Sequence, residues 1–395
     1  MDDFPVRSLR HPQGFQSAGM RLISRMASLK TLRRLISLFI RLHPMNIVHV
    51  VGTGTIGEPL IGILADLRKE LGIDEVTFAK KNALLIDRSK VTSLEKRGAN
   101  LAAEKAKWNE FQELGMEPTY DYEEAIARAS VVIDCTPDGS GNGNKQKFYE
   151  KYTERVRGFL AQGSEFGFGK PYAYGINDDA FSREDQFVQI VSCNTHNIAV
   201  ILKTLGVRDG RSILKDGKFL CIRRASDISD SKEFVPSPKV SMHEGPWGTH
   251  HARDAYYLFK TLGMDLDLFS SAIKTNSQYM HCIWFDLVLN TRITGEEVRE
   301  RIFANPRIAV THKDMASLVF SFGRDHGRFG RILNQTVVVL QSVLVRNENE
   351  VLGFCFTPQD GNSLMSSIAA TERILYPNEC SERLAPLEAM LFKEI

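Results

Sequence analysis

Ile47-Val-His-Val-Val51 runs directly into Gly52-Thr-Gly-Thr-Ile-Gly57, and this junction sets the architecture of the chain. The mostly apolar run predicts a buried strand, and apolar residues recur at helical spacing after the last glycine. The first glycine of such a loop allows a tight turn, the second lets the backbone approach a pyrophosphate, and the third lets the helix pack on the strand. We therefore predict a dinucleotide-binding unit in which Gly52, Gly54 and Gly57 contact the cofactor.

Two cations follow the next predicted strand, Val76–Ala79. A site that prefers NAD usually carries an acid at this strand end, where it binds the ribose 2′-hydroxyl. This chain has Lys80 and Lys81 instead, and a lysine suits the 2′-phosphate of NADP. The cofactor is expected to be NADP or NAD, with NADP favoured. A solvated loop charge is the alternative interpretation of Lys80.

A third predicted strand, Val131–Cys135, leads into the turn-rich loop Thr136–Gly141. In a doubly wound sheet, ligands bind outside the carboxyl ends of the strands. This loop is therefore predicted to lie beside the glycine loop.

A cysteine stands where a helix is predicted to begin, in Ile190-Val-Ser-Cys-Asn-Thr-His196. Free backbone N–H groups and the helix dipole at such a position favour the thiolate, which is the nucleophilic form. The alternative is that Cys193 is a small buried hydrophobic residue, as most single cysteines are.

Beyond the cysteine helix, strand-like segments predominate, and two pairs of polar residues stand out. Arg223 and Arg224 end an apolar run, and guanidinium groups suit phosphate or carboxylate. His250 and His251 follow a glycine-rich, turn-like stretch, and an imidazole can carry a proton near neutral pH. Exposed strand-end charges and surface histidines are the alternatives, because sequence spacing does not show whether either histidine reaches Cys193.

The composition is that of a globular protein with room for two domains: 395 residues, of which 43% are hydrophobic and 25% charged. The net charge of +2 gives no reason to expect nucleic acid or membrane partners. The six cysteines lack metal-ligand spacing, so we expect no metal site, no disulfide framework and a cytoplasmic location.

Residues 1–44 differ from the rest because they carry eight arginine and lysine residues against two aspartates. Part of this segment is amphipathic, as in organelle transit peptides and surface-binding helices, but it is too short and too charged to span a bilayer. The interpretation we favour is that Met45, directly before the first strand, is the true start.

Taken in order, these motifs resemble the archaeal-type (type II) glyceraldehyde-3-phosphate dehydrogenases. The resemblance runs from about Met45 to about Arg373. It rests on the glycine loop and on four further motifs: Cys-Thr-Pro-Asp-Gly at 135–139, Val-Ser-Cys-Asn-Thr at 191–195, Ile-Arg-Arg-Ala-Ser-Asp at 222–227 and the histidine pair. It implies an α/β architecture with a Rossmann domain over 45–192, and a catalytic α+β domain with a mainly antiparallel sheet over 193–358. A helical segment over 359–395 would pack back on the Rossmann domain, and the assembly would be a homotetramer.

The resemblance also implies roles for individual residues. Cys193 matches the nucleophile, and His250 and His251 match the substrate and proton-transfer position. The implied reaction oxidises a phosphorylated aldehyde through a cysteine thioester, which inorganic phosphate then cleaves. The substrate-binding residues would be Ser192, Asn194, Thr195, Arg223 and Arg224. The cofactor contacts would be the glycine loop with Thr55 and Ile56, and also Lys80, Gly139 and Gln359.

The chain departs from the family pattern at Thr195-His196-Asn197 and at Pro358-Gln-Asp-Gly361. These changes fall where substrate phosphate and nicotinamide are expected, so two alternatives stay open. One is another cysteine-dependent aldehyde or semialdehyde dehydrogenase. The other is a non-enzymatic, nucleotide-binding redox sensor.

Overall fold

The computed structural model describes residues 45–226, 235–358 and 360–395. The basic segment 1–44, the Asp227 end of the arginine motif and Gln359 lie outside these ranges. The expectations made for them stay predictions.

An eight-stranded, wholly parallel sheet forms the first half of the described chain. Its strands are β1 (Ile47–Val51), β2 (Glu75–Ala79), β3 (Ala99–Ala103), β4 (Tyr120–Asp121), β5 (Val131–Asp134), β6 (Gly158–Gln162), β7 (Lys170–Tyr172) and β8 (Phe187–Ile190). They lie in the order β4-β3-β2-β1-β5-β6-β8-β7. The order reverses direction at β1, which places the exits of β1, β2 and β5 next to one another at one edge. The predicted Rossmann-type sheet is confirmed.

Five helices connect these strands: α1 (Gly57–Asp66), α2 (Arg88–Lys96), α3 (Trp108–Glu113), α4 (Tyr122–Arg128) and α5 (Ser140–Lys147). On the predicted apolar face of α1, Leu60, Ile63 and Leu64 are fully buried, and Leu67, the residue after the helix, is partly buried. This burial fixes α1 against the sheet that contains β1. The glycine loop between β1 and α1 is therefore held in place.

A second, mixed sheet follows in the order β12-β13-β11-β14-β18-β16-β15, with β17 added beside β18. Its strands are β11 (Leu214–Arg223), β12 (Lys239–Val240), β13 (Leu268–Lys274), β14 (His281–Leu289), β15 (Ile308–Thr311), β16 (Thr336–Val339), β17 (Leu344–Arg346) and β18 (Glu350–Thr357). A separate short ribbon joins β9 (Val207–Arg208) to β10 (Arg211–Ser212). Most pairs are antiparallel, as expected, but β13 runs parallel to β11 and β15 runs parallel to β16.

Six more helices complete the described chain: α6 (Cys193–Leu205), α7 (His250–Lys260), α8 (Gly295–Ala304), α9 (Ala316–His326), α10 (Gly361–Leu375) and α11 (Cys380–Glu388). Helix α10 packs against β5, β6 and β8 of the parallel sheet. Buried hydroxyl groups fix it there, since Ser367 Oγ accepts from Gln162 at 2.5 Å and Ser366 Oγ accepts from the Tyr174 N–H at 3.0 Å. No helix among the described residues has the length and apolar character needed to cross a bilayer.

A 3₁₀ turn at Leu340–Ser342 separates β16 from β17, and β17 forms a hairpin with β18. The histidine pair, which follows the glycine-rich stretch, begins helix α7. A turn lies just before this helix and includes Gly248, whose φ of +75° favours glycine.

Glu372 in α10 carries a buried carboxylate to which no described residue donates a hydrogen bond. Burial raises its pKa to about 8, against an opposing effect of Arg383. The folded protein therefore holds a proton that the unfolded chain loses above about pH 4.5, and stability falls as the pH rises from there to about 8. We expect Glu372→Gln to stabilise the protein by roughly 2–5 kcal/mol at pH 8 and little at pH 4.

Thermal unfolding followed between pH 4 and pH 9 measures this effect. The exposed Glu382, changed to glutamine, is the matched control and should shift neither curve. A pH-independent gain in Glu372→Gln would contradict the account.

Candidate active site

The glycine loop between β1 and α1 is shaped to receive a bulky anionic group. Gly52 has a φ of +97°, and a Cβ added at Gly57 would lie 2.1 Å from the Gly52 carbonyl oxygen. Gly54 is exposed, and a Cβ there would meet nothing within 4 Å. Thr55 and Ile56 complete the turn and are half-buried. The open side at Gly54 and the start of α1 fit a dinucleotide pyrophosphate.

Lys80 lies directly beside this loop. Its Nζ is 3.5 Å from Thr53 Oγ1 and 2.6 Å from an Asp87 carboxylate oxygen. Lys90, in the first turn of α2, donates to the Thr53 carbonyl oxygen at 3.1 Å and lies 3.3 Å from Asp87. Burial alone would raise the pKa of Asp87, but the two lysines lower it below its usual value. The sequence interpretation missed Lys90 because the fold, and not sequence proximity, brings it to Lys80.

Gly139 follows β5 at the same sheet edge, with a φ of +80° at the N-cap of α5. Its added Cβ would meet no atom within 4 Å, so this turn is also open on one side. The neighbouring Asp138 is close enough to His250 to raise that imidazole's pKa against stronger opposing effects. The exit of β5 therefore faces the histidine pair.

Cys193 is the first residue of α6 and is partly exposed. Ser192 caps this helix, since its Oγ accepts from the Thr195 N–H at 3.3 Å. Asn362 of α10 donates to the Cys193 carbonyl oxygen at 3.0 Å. The cysteine is thus held at a capped helix N-terminus, as its sequence context predicts.

The three residues after Cys193 are buried, and their side chains attach α6 to its neighbours. Thr195 Oγ1 lies 2.9 Å from Ser192 Oγ, and Asn194 Oδ1 accepts from Thr357 Oγ1 at 3.1 Å. His196 contacts the Ser192 carbonyl oxygen and Ser366 Oγ, at 3.0 and 2.7 Å. Burial lowers the pKa of His196 to about 4, so it is neutral at pH 7. Thr195 and His196, at which the chain departs from the family pattern, therefore occupy buried positions.

The rings of His250 and His251 lie next to each other at the start of α7, with centroids 3.9 Å apart and planes tilted by 53°. Burial, Arg223 and Arg253 lower the pKa of His250 to about 4. His251 is only 2% exposed, and no described residue makes a hydrogen bond to either of its ring nitrogens. Burial and the neighbouring His250, Arg223 and His281 hold its pKa well below the usual value. Both imidazoles are therefore neutral, proton-accepting groups at pH 7.

Arg223 is the last residue of β11, beside these histidines, and Arg224 follows it. Arg224 is buried, and its backbone N–H donates to His281 Nδ1 at 3.0 Å. Arg223, with His250 and His251, lines a cavity of about 360 Å³. His281 is a member of this cluster to which the sequence interpretation gave no role, because only strand pairing places it at the end of β11.

Two observations place the cysteine helix in the same region as the arginines and histidines. Helix α6 packs against α7. The buried thiol of Cys221 lies within electrostatic range of both Arg223 and Cys193. Cys193, Arg223 and the histidine pair therefore lie in the same part of the molecule.

Several curated proteins that resemble this chain are named glyceraldehyde-3-phosphate dehydrogenase. A glyceraldehyde-3-phosphate dehydrogenase from Pyrobaculum islandicum is 28% identical over 313 residues, or 76% of this chain and 83% of the relative. One from Methanococcoides burtonii is 25% identical over 339 residues, or 83% of this chain and 93% of the relative. One from Metallosphaera sedula is 30% identical over 268 residues, or 65% of this chain and 73% of the relative. No family model matches the chain.

These similarities extend across both sheets and do not stop at the glycine loop, which many unrelated enzymes share. The parallel sheet with its open glycine turn and the mixed sheet that follows agree with them. The chain belongs to the archaeal-type glyceraldehyde-3-phosphate dehydrogenase family of NAD(P)-dependent oxidoreductases.

Proposed function

We propose that the protein is a phosphorylating glyceraldehyde-3-phosphate dehydrogenase that forms a thioester on Cys193. The observation that carries this proposal is the placement of a partly exposed cysteine at a capped helix N-terminus, in the same region as neutral histidines and an arginine. A phosphorylated aldehyde and inorganic phosphate are the substrates. The homotetramer implied by the family belongs to the same proposal.

Cys193 is the nucleophile. It is the first residue of α6, where backbone N–H groups lack partners within the helix and the positive end of the helix dipole favours the thiolate. The thiolate adds to the aldehyde carbon, and the carbonyl oxygen takes up the proton that the thiol released, which gives the hydroxyl of a hemithioacetal. Backbone N–H groups around Cys193 and Asn194 stabilise the developing oxyanion, by about 3 kcal/mol for each well-placed donor.

His251 accepts the hydroxyl proton of the hemithioacetal as the carbon loses a hydride. Its two ring nitrogens are buried without a partner among the described residues, which costs free energy unless a bound group pairs with them. His250 is less buried and lines the cavity, so it contacts the substrate. The low pKa values leave both rings unprotonated and ready to accept a hydrogen bond.

The sheet edge holds the dinucleotide through Gly52, Gly54, Thr55, Ile56, Gly57 and Gly139. When bound, the nicotinamide supplies the hydride acceptor. Lys80, assisted by Lys90, binds the adenosine 2′-phosphate and favours NADP over NAD. The support is the position of Lys80 directly after β2 and of Lys90 in α2, each with its Nζ within hydrogen-bond distance of Thr53 in the glycine loop.

Arg223 and Arg224 bind phosphate. Inorganic phosphate attacks the thioester carbonyl carbon, the carbon–sulfur bond breaks, and the products are an acyl phosphate and the Cys193 thiolate. Thr195 contributes indirectly, because its hydroxyl contacts Ser192 and its side chain is fully buried. Through that contact it positions the cap of α6.

Formation of reduced cofactor from glyceraldehyde 3-phosphate, with and without inorganic phosphate, tests the proposal. Steady turnover that requires phosphate supports it. Turnover with semialdehydes only would favour the alternative dehydrogenase. Cofactor binding without any aldehyde oxidation would favour the redox sensor.

Lys80→Ala is expected to lower kcat/KM for NADP about tenfold and to change kcat/KM for NAD little, because only NADP carries the 2′-phosphate. Lys81, the exposed neighbour, provides the matched control when changed to alanine. Initial rates with both cofactors give the ratio of kcat/KM for NADP to kcat/KM for NAD. An equal loss with NADP and NAD would show that Lys80 does not recognise the 2′-phosphate.

A further inference from the structure

Glu165 is a buried acid that takes no part in the proposed chemistry. It lies three residues after β6 and is 2% exposed. Its carboxylate accepts three hydrogen bonds from the start of α5. The Gly141 N–H donates to Oε1 at 3.1 Å, and the N–H and side-chain amide of Asn142 donate to Oε2 at 3.0 and 3.1 Å. Glu165 therefore caps this helix from a distant part of the chain.

Helix α5 depends on this cap because its own sequence forms a helix poorly. Two of its eight residues are glycine and two are asparagine, and these residues disfavour helix interiors. The N-cap, Gly139, has no side chain to offer, and the first turn carries no acid. The first N–H groups of any helix need acceptors, and the helix dipole favours an anion there. Glu165 supplies the acceptor and the charge that the local sequence lacks.

Gly141 makes room for the glutamate. A Cβ added at Gly141 would lie 3.0 Å from Glu165 Cδ and 3.1 Å from Glu165 Cγ, closer than ordinary van der Waals contact. Gly141 lies within the helix, so its backbone conformation does not require glycine. The missing side chain instead allows the carboxylate to reach the first N–H groups of α5.

The order of the strands indicates which part of the dinucleotide meets the turn between β5 and α5. The exits of β2, β1 and β5 are neighbours in that order. The proposed function places the adenosine at Lys80 after β2 and the pyrophosphate at the glycine loop after β1. A dinucleotide that continues across the sheet in the same direction brings its nicotinamide half to the exit of β5. Asp138 in this turn also lies within electrostatic range of His250.

We propose that Glu165 is a positioning residue, which holds the turn between β5 and α5 in the shape that receives the nicotinamide half of the cofactor. This inference rests on the proposed function, which puts the adenosine half at Lys80. Glu165 acts through the turn, since its carboxylate oxygens are occupied by the three donors. A turn that has the binding shape only part of the time binds with an affinity reduced by that fraction.

The test uses the full chain with Glu165→Gln, and with Glu150→Gln as the matched control. Glu150 is an exposed glutamate shortly after α5. Glutamine retains the size of the side chain but places an NH₂ group where one carboxylate oxygen accepted, so at least one donor loses its acceptor.

Calorimetry measures two dissociation constants, neither of which depends on catalysis. The first is for the dinucleotide that the unaltered protein binds more tightly, NADP or NAD. The second is for the matching adenosine fragment, adenosine 2′,5′-bisphosphate or AMP. The fragment lacks the nicotinamide half, so its binding reports on the rest of the sheet edge alone.

Glu165→Gln is expected to raise the Kd of the dinucleotide about tenfold and to leave the Kd of the fragment unchanged. Gly141→Ala provides a second variant. Alanine favours the helix but displaces the Glu165 side chain, so it should weaken dinucleotide binding in the same selective way and by a smaller factor. If Glu165→Gln fails to fold, Gly141→Ala still provides the test.

The inference is overturned if both variants bind the dinucleotide as Glu150→Gln does. It is also overturned if the dinucleotide and the fragment are weakened equally, because Glu165 would then support the fold as a whole and not the nicotinamide end. A selective loss of dinucleotide binding, in a protein whose unaltered form oxidises no aldehyde, would overturn the dehydrogenase function and leave the role of Glu165 standing.

Discussion

Cys193→Ser is expected to lower the rate of cofactor reduction by at least about 10⁴-fold, the largest effect of any single substitution considered. The serine hydroxyl is far less acidic than a thiol and forms an ester in place of the thioester, so both addition to the aldehyde and phosphorolysis become slow. Steady-state rates with glyceraldehyde 3-phosphate, NADP and phosphate measure the loss.

Cys282→Ser is the matched control because Cys282 is also partly exposed and lies on β14 in the mixed sheet. Burial raises the pKa of its thiol to about 11, so it is a poor nucleophile at neutral pH. The control should retain its activity. A Cys193→Ser protein that is folded and still reduces cofactor would remove the thioester mechanism.

His251→Asn is expected to lower kcat by about 10²- to 10⁴-fold, the usual contribution of a general base. Asparagine retains hydrogen-bonding groups of similar reach but cannot take up the proton of the hemithioacetal. His250→Asn should mainly raise the KM for the aldehyde, because His250 contacts substrate in this account. His281→Asn serves as the comparison within the same cluster.

The pKa values provide an independent check on the histidines. Burial, Arg223 and Arg253 hold the pKa of His250 near 4, so its imidazole should remain neutral from pH 8 down to about pH 5. Arg223→Met removes one neighbouring cation and should raise that pKa. NMR titration of histidine-labelled protein measures both values. A His250 pKa near 6.5 in the unaltered protein would contradict the buried, cation-flanked site described here.

The parts of the site that the sequence could predict are those encoded locally. The glycine loop can be predicted from the strand before it and the helix after it. The position of Cys193 can be predicted from the start of a helix. The capping contact between Ser192 and Thr195 is also local, but its consequence was not foreseen: it leaves Thr195 fully buried and turned towards Ser192.

The remaining residues could not be predicted because chain pairing brings them together. Lys90 reaches the glycine loop across the packing of α1 and α2. Glu165 reaches the start of α5 only because β6 pairs with β5, a pairing that no short-range pattern specifies. Strand β3 was missed for another reason: Ala99-Asn-Leu-Ala-Ala103 has none of the β-branched or aromatic residues that mark a strand.

The most direct test of the mechanism is to trap the covalent intermediate. The protein is mixed with glyceraldehyde 3-phosphate and NADP in the absence of inorganic phosphate, quenched in acid, and analysed by intact-mass and peptide mass spectrometry. We predict an added 3-phosphoglyceroyl group on the peptide that contains Cys193, and its loss when phosphate is supplied before the quench. An unmodified protein that has nevertheless reduced NADP, or an acyl group on a different cysteine, would contradict the account.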